Sequence, residues 1–374
     1  VVNTLFRAKL LTLYKIGLNM SENLKLWDII DSFVSGDWGN EEESPEAPCC
    51  VSCIRGADIV PICNSDFDNI PIRYISNRSF TTHCLQEGDI IVEKSGGSPT
   101  QSTGRVVYIS KELLAAKHDI VCSNFCVAFR VKPEWNSLYI YYYLRNVYNA
   151  GVFFNFEGKT SGIKNLDIET AFRAIPIKAI AMETQLSIAT AISCLDKKIA
   201  LNRAINDNLE AMAKQLYDYW FVQFDFPNEE SKPYKSSGGK MVWNDKLKRE
   251  IPEGWVVEKV SALIEPIERG ISYASADLLD DSAMPMINLA CFSKSGDYRT
   301  GEMKYYSGII PGNKYVQPMD MLIACTDMTQ GADIIGRPIL ASHEFEQYTF
   351  STDLATLRPK YIEKMYLYYT LRTP

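Results

Sequence analysis

Leu138-Tyr139-Ile140-Tyr141-Tyr142-Tyr143-Leu144-Arg145 returns late in the chain as Met365-Tyr366-Leu367-Tyr368-Tyr369-Thr370-Leu371-Arg372. The echo extends upstream in a fixed order of parts. Gly88-Asp89-Ile90-Ile91-Val92 is answered by Met319-Asp320-Met321-Leu322-Ile323, and a loop ending in Gly104-Arg105 by one ending in Gly336-Arg337. Ser123 to Arg130 is likewise answered by Ser351 to Arg358. The spacing between partners barely drifts, so length differences fall in loops and the chain is a tandem. Each copy reads as mixed α and β. Asp89 to Val92 and Met321 to Ala324 are short apolar runs between Gly, Pro and Ser clusters, the pattern of buried strands. The Tyr-rich segment is continuously apolar, so periodicity alone does not choose helix or strand. The polar residues before it and the closing Leu-Arg favour a helix, with the tyrosines as core rather than a base-stacking platform.

Between the copies, Glu183 to Trp220 holds no Pro or Gly and is rich in Ala, Leu, Ile, Lys and Glu, the composition of a helix. Ile188, Ile192, Leu195, Ile199, Asn202, Asn206, Leu209, Ala213, Leu216 and Trp220 alternate steps of four and three, a coiled-coil seam that needs a partner helix. At 1.5 Å per residue the helix spans about 57 Å, more than a domain needs to cover its core. Asn202 and Asn206 sit mid-seam, either as buried groups that fix register or as wet surface positions. Phe224 to Pro252, with its prolines, Ser236-Ser237-Gly238-Gly239 and many charges, reads as an exposed connector. The expected fold is α+β, with two pseudo-repeated mixed α/β domains separated by a long coiled-coil-type spacer helix. The boundaries are an uncertain segment at 1–19, a first domain at 20–181, the spacer at 182–222, a linker at 223–252 and a second domain at 253–374.

With 374 residues, 46% of them hydrophobic and 23% charged, the chain has material for about two globular domains. The apolar opening, Leu5 to Met20, is broken by Arg7, Lys9 and Lys15 and does not make a membrane span. Ten cysteines without a secretory signal point to reduced thiols and a cytoplasmic protein. Cys50 and Cys53 form one CxxC beside Cys49, yet no second pair or His follows at zinc-ligand spacing, so no metal is expected. Catalysis is not expected either. No Asn/Asp-Pro-Pro-aromatic turn, GxxxxGK[ST] loop or His-based metal motif occurs, and three histidines leave few players for acid–base work. The net charge of −7 and pI near 5.3 count against a chain that grips nucleic acid alone. Duplex affinity comes mainly from Lys and Arg neutralising phosphates. A DNA-binding role therefore requires positive charge gathered in a few loops and a partner that supplies much of the clamp.

From about Leu24 onward, the order of parts resembles the specificity subunit of Type I restriction-modification systems. The landmarks are Gly158-Lys159-Thr160-Ser161-Gly162 with Asn165-Leu166, Ile175-Pro176-Ile177 with Gln185, and Leu209-Glu210-Ala211-Met212-Ala213-Lys214-Gln215-Leu216-Tyr217. Phe221-Val222-Gln223-Phe224 and Ile251-Pro252-Glu253-Gly254-Trp255 complete the series. The resemblance implies two target recognition domains, each reading one half of a split double-stranded DNA site. It also implies helices that set the gap and dock two methyltransferase subunits, with restriction subunits joining through them. S-adenosylmethionine, ATP and Mg are then expected only on the partners, with no cofactor, metal or membrane for this chain. Two non-identical readers held by a rigid spacer give a bipartite, asymmetric site. The second copy stops at Pro374, the counterpart of Val147, so its domain is expected to be truncated, with the second spacer helix of the family supplied by another chain. Met20-Ser21-Glu22 is expected as the true start.

Sequence discrimination needs hydrogen-bonding side chains in loops over a groove, with phosphate contacts fixing register. In the first copy Glu93 to Arg105 offers Lys94, Ser95, Gln101, Ser102, Thr103 and Arg105, and Asn155 to Asn165 offers Lys159, Thr160, Ser161, Lys164 and Asn165. In the second, Thr326 to Arg337 offers Thr326, Thr329, Gln330 and Arg337. Arg105 and Arg337 are repeat equivalents, readable as salt-bridge partners or phosphate anchors, with phosphate favoured. Ile188, Ile192, Leu195, Ile199, Leu209 and Leu216 are the partner-binding candidates. Two rivals are a protein-only coiled-coil adaptor, which leaves the duplicated polar loops unexplained, and the DNA-reading part of a fused restriction-methyltransferase enzyme, whose catalytic motifs are absent.

Overall fold

In the computed structural model, which describes residues 24–96, 101–117, 119–160, 163–279, 283–293, 298–327 and 331–372, the repeated passages form the same frame twice. The expected start at Met20-Ser21-Glu22 and the segment 1–19 before it lie outside the described residues. The chain divides into two compact units, Val1–Ile205 and Asn206–Pro374, with the division inside the long helix rather than at its ends.

In the first unit, β1 (Ile30–Ser35), β8 (Cys126–Val131), β4 (Ile90–Glu93) and β6 (Val106–Tyr108) lie side by side in that order, all antiparallel. A second sheet orders β3 (Ile72–Ile75), β2 (Cys49–Ile54) and β7 (Ile120–Cys122), with β2 antiparallel to β3 and parallel to β7. The second unit repeats both. Its antiparallel sheet orders β13 (Glu268–Arg269), β20 (Leu354–Leu357), β17 (Met321–Ala324) and β18 (Pro338–Leu340). Its mixed sheet orders β14 (Leu278–Leu279), β16 (Lys304–Tyr306), β15 (Met284–Ile287) and β19 (Thr349–Phe350), with β15 antiparallel to β16 and parallel to β19.

Continuous apolar runs arise because β4 and β17 are covered on both faces. Ile90 and Val92 pack into one cluster with Ile140 and Leu144, while Ile91 packs into another with Ile54 and Cys122. Met321 joins Leu367 and Tyr368, and Leu322 and Ala324 join Ile287 and Phe350. The Tyr-rich segments are helices, α1 (Ser137–Asn149) and α4 (Lys364–Arg372); α1 is capped by Asn136, whose side chain accepts from Tyr139 N, and shares its core with α2 (Ile168–Ala174). Their tyrosines lie in or against the cores, in agreement with the sequence reading, except Tyr366, which meets the rings of Tyr217 and Phe221. The turn before each central strand is also duplicated. Gln86 N donates to Asp89 Oδ2 and Gln317 N to Asp320 Oδ2, while Gly88 and Met319 both hold left-handed backbone, at φ 92° and 68°. Gly36 and Gly270 mark a further equivalence. A Cβ would lie 2.0 Å from Ser123 O in the first case and 2.2 Å from Phe350 O in the second.

The spacer is α3 (Met182–Tyr217), continued by a π-helical turn at Asp218–Val222. The stretch after it differs from the exposed connector read from the sequence. It contains a hairpin of β11 (Met241–Asn244) and β12 (Arg249–Pro252). Phe226 stacks between Tyr234 and Trp255 at 4.9 and 5.4 Å, and Trp255 also meets the buried Phe224. A few aromatics give this polar segment a small core of its own, which composition averaging hides.

Candidate nucleic-acid interface

In the first unit the two loops singled out from sequence come together. The expected loop at 155–165 is largely a hairpin of β9 (Glu157–Thr160) and β10 (Ile163–Leu166), and β10 pairs with β5 (Ser95–Gly96) from the other loop. Ser95 Oγ donates to Asn165 Oδ1, and Leu166 N donates to Lys94 O at 2.8 Å. The two segments form one polar surface.

Much of its charge is internally compensated. Arg105 forks onto Glu93 with Nε to Oε2 at 2.8 Å and Nη2 to Oε1 at 2.5 Å, the side chains being 15% and 2% exposed. Gly56 and Gly96 leave room for that carboxylate, since a Cβ on either would lie 2.7 Å from Glu93 Oε1. The hydrogen bond to Glu93 raises the Arg105 pKa further. Of the two sequence alternatives for Arg105, the salt bridge is the one formed. A buried, bidentate pair holds the guanidinium in the fold rather than offering it to a phosphate. Lys164 is also buried, 3.4 Å from Glu157 Oε2 and donating to Gln101 O at 3.0 Å. Thr103 is enclosed too, with N and Oγ1 both donating to Glu157 Oε1 at 2.6 and 3.0 Å. Arg105, Lys164 and Thr103 thus stand as structural residues of the surface.

Ser102 O accepts from Tyr148 at 3.3 Å, and the side chain of Gln101 is exposed. Lys94 is exposed and lines a cleft of about 460 Å³ together with Trp27, Phe33, Asn124, Asp167 and Glu169. Lys159 and Thr160 lie on β9, and Ser161 lies outside the described residues. The partners that sequence reading missed are Glu93 and Glu157. A carboxylate ending a run that is apolar on both faces was the available signal for Glu93, because a buried charge requires a partner.

The second unit builds the equivalent loop differently. Gly104 N and Glu93 N bond to Glu93 O and Arg105 O, and Gly336 N and Ala324 N bond in the same way to Ala324 O and Arg337 O. The frame is kept while Glu93 is replaced by Ala324. Asp327 Oδ2 closes the loop by accepting from Ile334 N at 2.6 Å and Ile335 N at 3.2 Å, and Thr326 donates to Asp353 at 3.1 Å. Thr329 and Gln330 lie outside the described residues.

The long helix carries the expected seam, and most of it faces outward. Ile188, Leu195, Ile199, Leu209 and Leu216 are exposed and Ile192 half-buried, and Leu186, Leu201, Ile205 and Met212 are further exposed apolar residues of the helix. Each Tyr-rich helix fixes α3 within its own unit. Arg145 reaches Asp196 at 2.5 Å, and Gln185, buried, accepts from Asn136 N and donates to Ile180 O. In the second unit Arg372 reaches Glu210 at 2.8 Å and Tyr217 hydrogen-bonds Thr370 at 2.8 Å. All ten cysteines are free thiols. Among the described residues no group of three His, Cys, Asp or Glu could hold a metal, and no helix is long and apolar enough to cross a membrane.

Residues 58–211 match the family described as Type I restriction modification DNA specificity domain. Over that span the chain resembles a Type I DNA specificity domain. The specificity subunit of the Type I restriction enzyme MjaIX of Methanocaldococcus jannaschii is 25% identical over 240 residues, covering 61% of this chain and 50% of that protein. The chain therefore spans about half the length of that relative. The crystal structure of a Type I restriction-modification S subunit from M. genitalium shares the fold, with a TM-score of 0.50 at 14% identity, covering 95% of this chain and 79% of the other. The specificity-domain match takes in both polar loops of the first unit and most of α3.

Proposed function

We propose that this chain is the non-catalytic, sequence-reading subunit of a Type I restriction-modification complex and that its two units read the two halves of a bipartite, asymmetric DNA site. The observation that carries this reading is one frame built twice with different loop chemistry. The strand order, the Gln-x-x-Asp turn, the loop-closing backbone bonds and the closing Arg (Arg105, Arg337) repeat, yet Glu93 and Lys94 become Ala324 and Cys325. A shared frame with divergent side chains is what two readers of different half-sites require. Direct readout in the first unit falls to Ser95, Gln101 and Ser102 with Lys159, Thr160 and Ser161, and in the second to Thr326, Thr329 and Gln330.

The exposed stripe on α3 supports docking of methyltransferase subunits, two in the proposed assembly, with restriction subunits joining through them. S-adenosylmethionine, ATP and Mg would act on those partners, in the cytoplasm. A helix of fixed length between the readers would set the gap. The test is methylome sequencing of a host with and without the gene, followed by insertion of four residues beside Asn202, which adds about 6 Å of helix. A split motif that appears with the gene, and whose gap lengthens with the insertion, supports the reading. Association with a coiled-coil partner without any gene-dependent methylation motif would identify a protein-only adaptor instead.

A further inference from the structure

The loops after β4 and β17 share a frame but differ in what their cations do. In the first unit the loop has two cations, Lys94 and Arg105. Arg105 is held by the buried Glu93, whereas the Lys94 ammonium is exposed and has no ion pair or hydrogen bond among the described residues. In the second unit the counterpart of Lys94 is Cys325 and the counterpart of Glu93 is Ala324. Arg337 is then the loop's cation, half-buried and with no side-chain partner among the described residues. Asp327, in the same loop, accepts from Ile334 N and Ile335 N, and Asp353 accepts from Thr326.

We infer that each unit anchors the backbone of duplex DNA through one unpaired cation of this loop, Lys94 on the outgoing arm in the first unit and Arg337 on the returning arm in the second, with Arg105 as a fold residue. The inference rests on the DNA-reading function proposed above and assigns within it which cations meet phosphate. Its physical basis is that a guanidinium already forked onto a buried carboxylate gains little from a phosphate, because the first pair must be broken and a carboxylate left buried without a counter-charge. An unpaired cation meets no such cost, and it releases a condensed counterion when it neutralises a phosphate. The acidic balance of the chain makes the few free cations of these loops more consequential.

The experiment uses the full chain, alone and with a co-expressed methyltransferase subunit, and a mixed-sequence 40-bp duplex, since phosphate contacts need no cognate site. Affinity is measured by fluorescence anisotropy across salt. Lys94→Gln and Arg337→Gln should each make the slope of log K against log salt shallower by about 0.9. The paired neutral variant Glu93→Gln/Arg105→Gln, which keeps the shape of the buried contact, should leave the slope unchanged while circular dichroism reports a folded chain. A slope unmoved by both single variants, or one reduced by the paired variant, would overturn the assignment while leaving the DNA-reading function standing. Wild-type protein that binds no duplex in either form would overturn the function itself.

Discussion

Replacing Arg105 with Met removes one half of the Glu93–Arg105 pair and keeps most of the side-chain volume. The carboxylate it strands is 2% exposed and enclosed by Gly56 and Gly96, so neither water nor a shift of backbone relieves it easily. Stranding a buried charge costs about 3 to 5 kcal/mol. For a unit of this size each kcal/mol shifts Tm by about 2 to 4 °C, so the first unit should melt about 6 to 20 °C lower. Glu93→Leu/Arg105→Met removes both charges and should recover most of the loss, because an apolar replacement of a buried pair is often neutral or stabilising. The assay is thermal unfolding of the full chain, with hydrogen exchange to locate the loss in residues 24–160. The reasoning fails if Arg105→Met melts within about 1 °C of wild type, roughly the shift expected of an inconsequential surface substitution. A weaker salt dependence of duplex binding in that variant would make Arg105 a phosphate anchor after all.

Leu195→Asp and Leu209→Asp place charge on exposed positions of α3, so the chain alone should unfold within about 0.5 kcal/mol of wild type while copurification with a methyltransferase subunit is lost. Copurification that survives both changes would move the docking surface elsewhere. Gly36→Ala and Gly270→Ala each drive a Cβ into backbone, at 2.0 and 2.2 Å, and should destabilise their own units by about 1 to 3 kcal/mol, read as local loss of hydrogen-exchange protection. Tolerance of one and not the other would break the equivalence of the two frames. In thiol titration at pH 8, the exposed Cys50, Cys63 and Cys194 should react at once and the buried Cys53, Cys126 and Cys291 only after denaturant. Burial pushes Cys53 and Cys126 up to about 12 and Cys291 up to about 11. Because these thiols ionise near 9.0 once unfolded, the unfolded chain loses protons that the folded one retains, and stability should fall above that pH; a denaturant midpoint flat from pH 8 to 10.5 would contradict it.

The sequence by itself determined the tandem, the order of parts, the central strands, the Tyr-rich helices and the long spacer. These features are local or are copied in order along the chain. An apolar run marks β4 whatever it pairs with, and a stretch without Pro or Gly marks α3 whatever covers it. The landmarks around Ile175, Ile177 and Gln185 were equally legible as a pattern, although their work proved structural, with Gln185 tying the helix start to Asn136 N and Ile180 O. What only the tertiary structure decided was which charges are available. Lys94, Arg105 and Lys164 look alike in the sequence, and nothing local says that two of them meet carboxylates inside the fold while the third is exposed and has no ion pair among the described residues. Glu93 and Arg105 sit on opposite arms of a hairpin, and Glu157 and Lys164 reach the same surface only because β10 pairs with β5. Charge compensation depends on distances across strands and on burial, which composition and spacing do not carry, so the same Gly-Arg ending meets a buried carboxylate in one copy and has no side-chain partner among the described residues in the other.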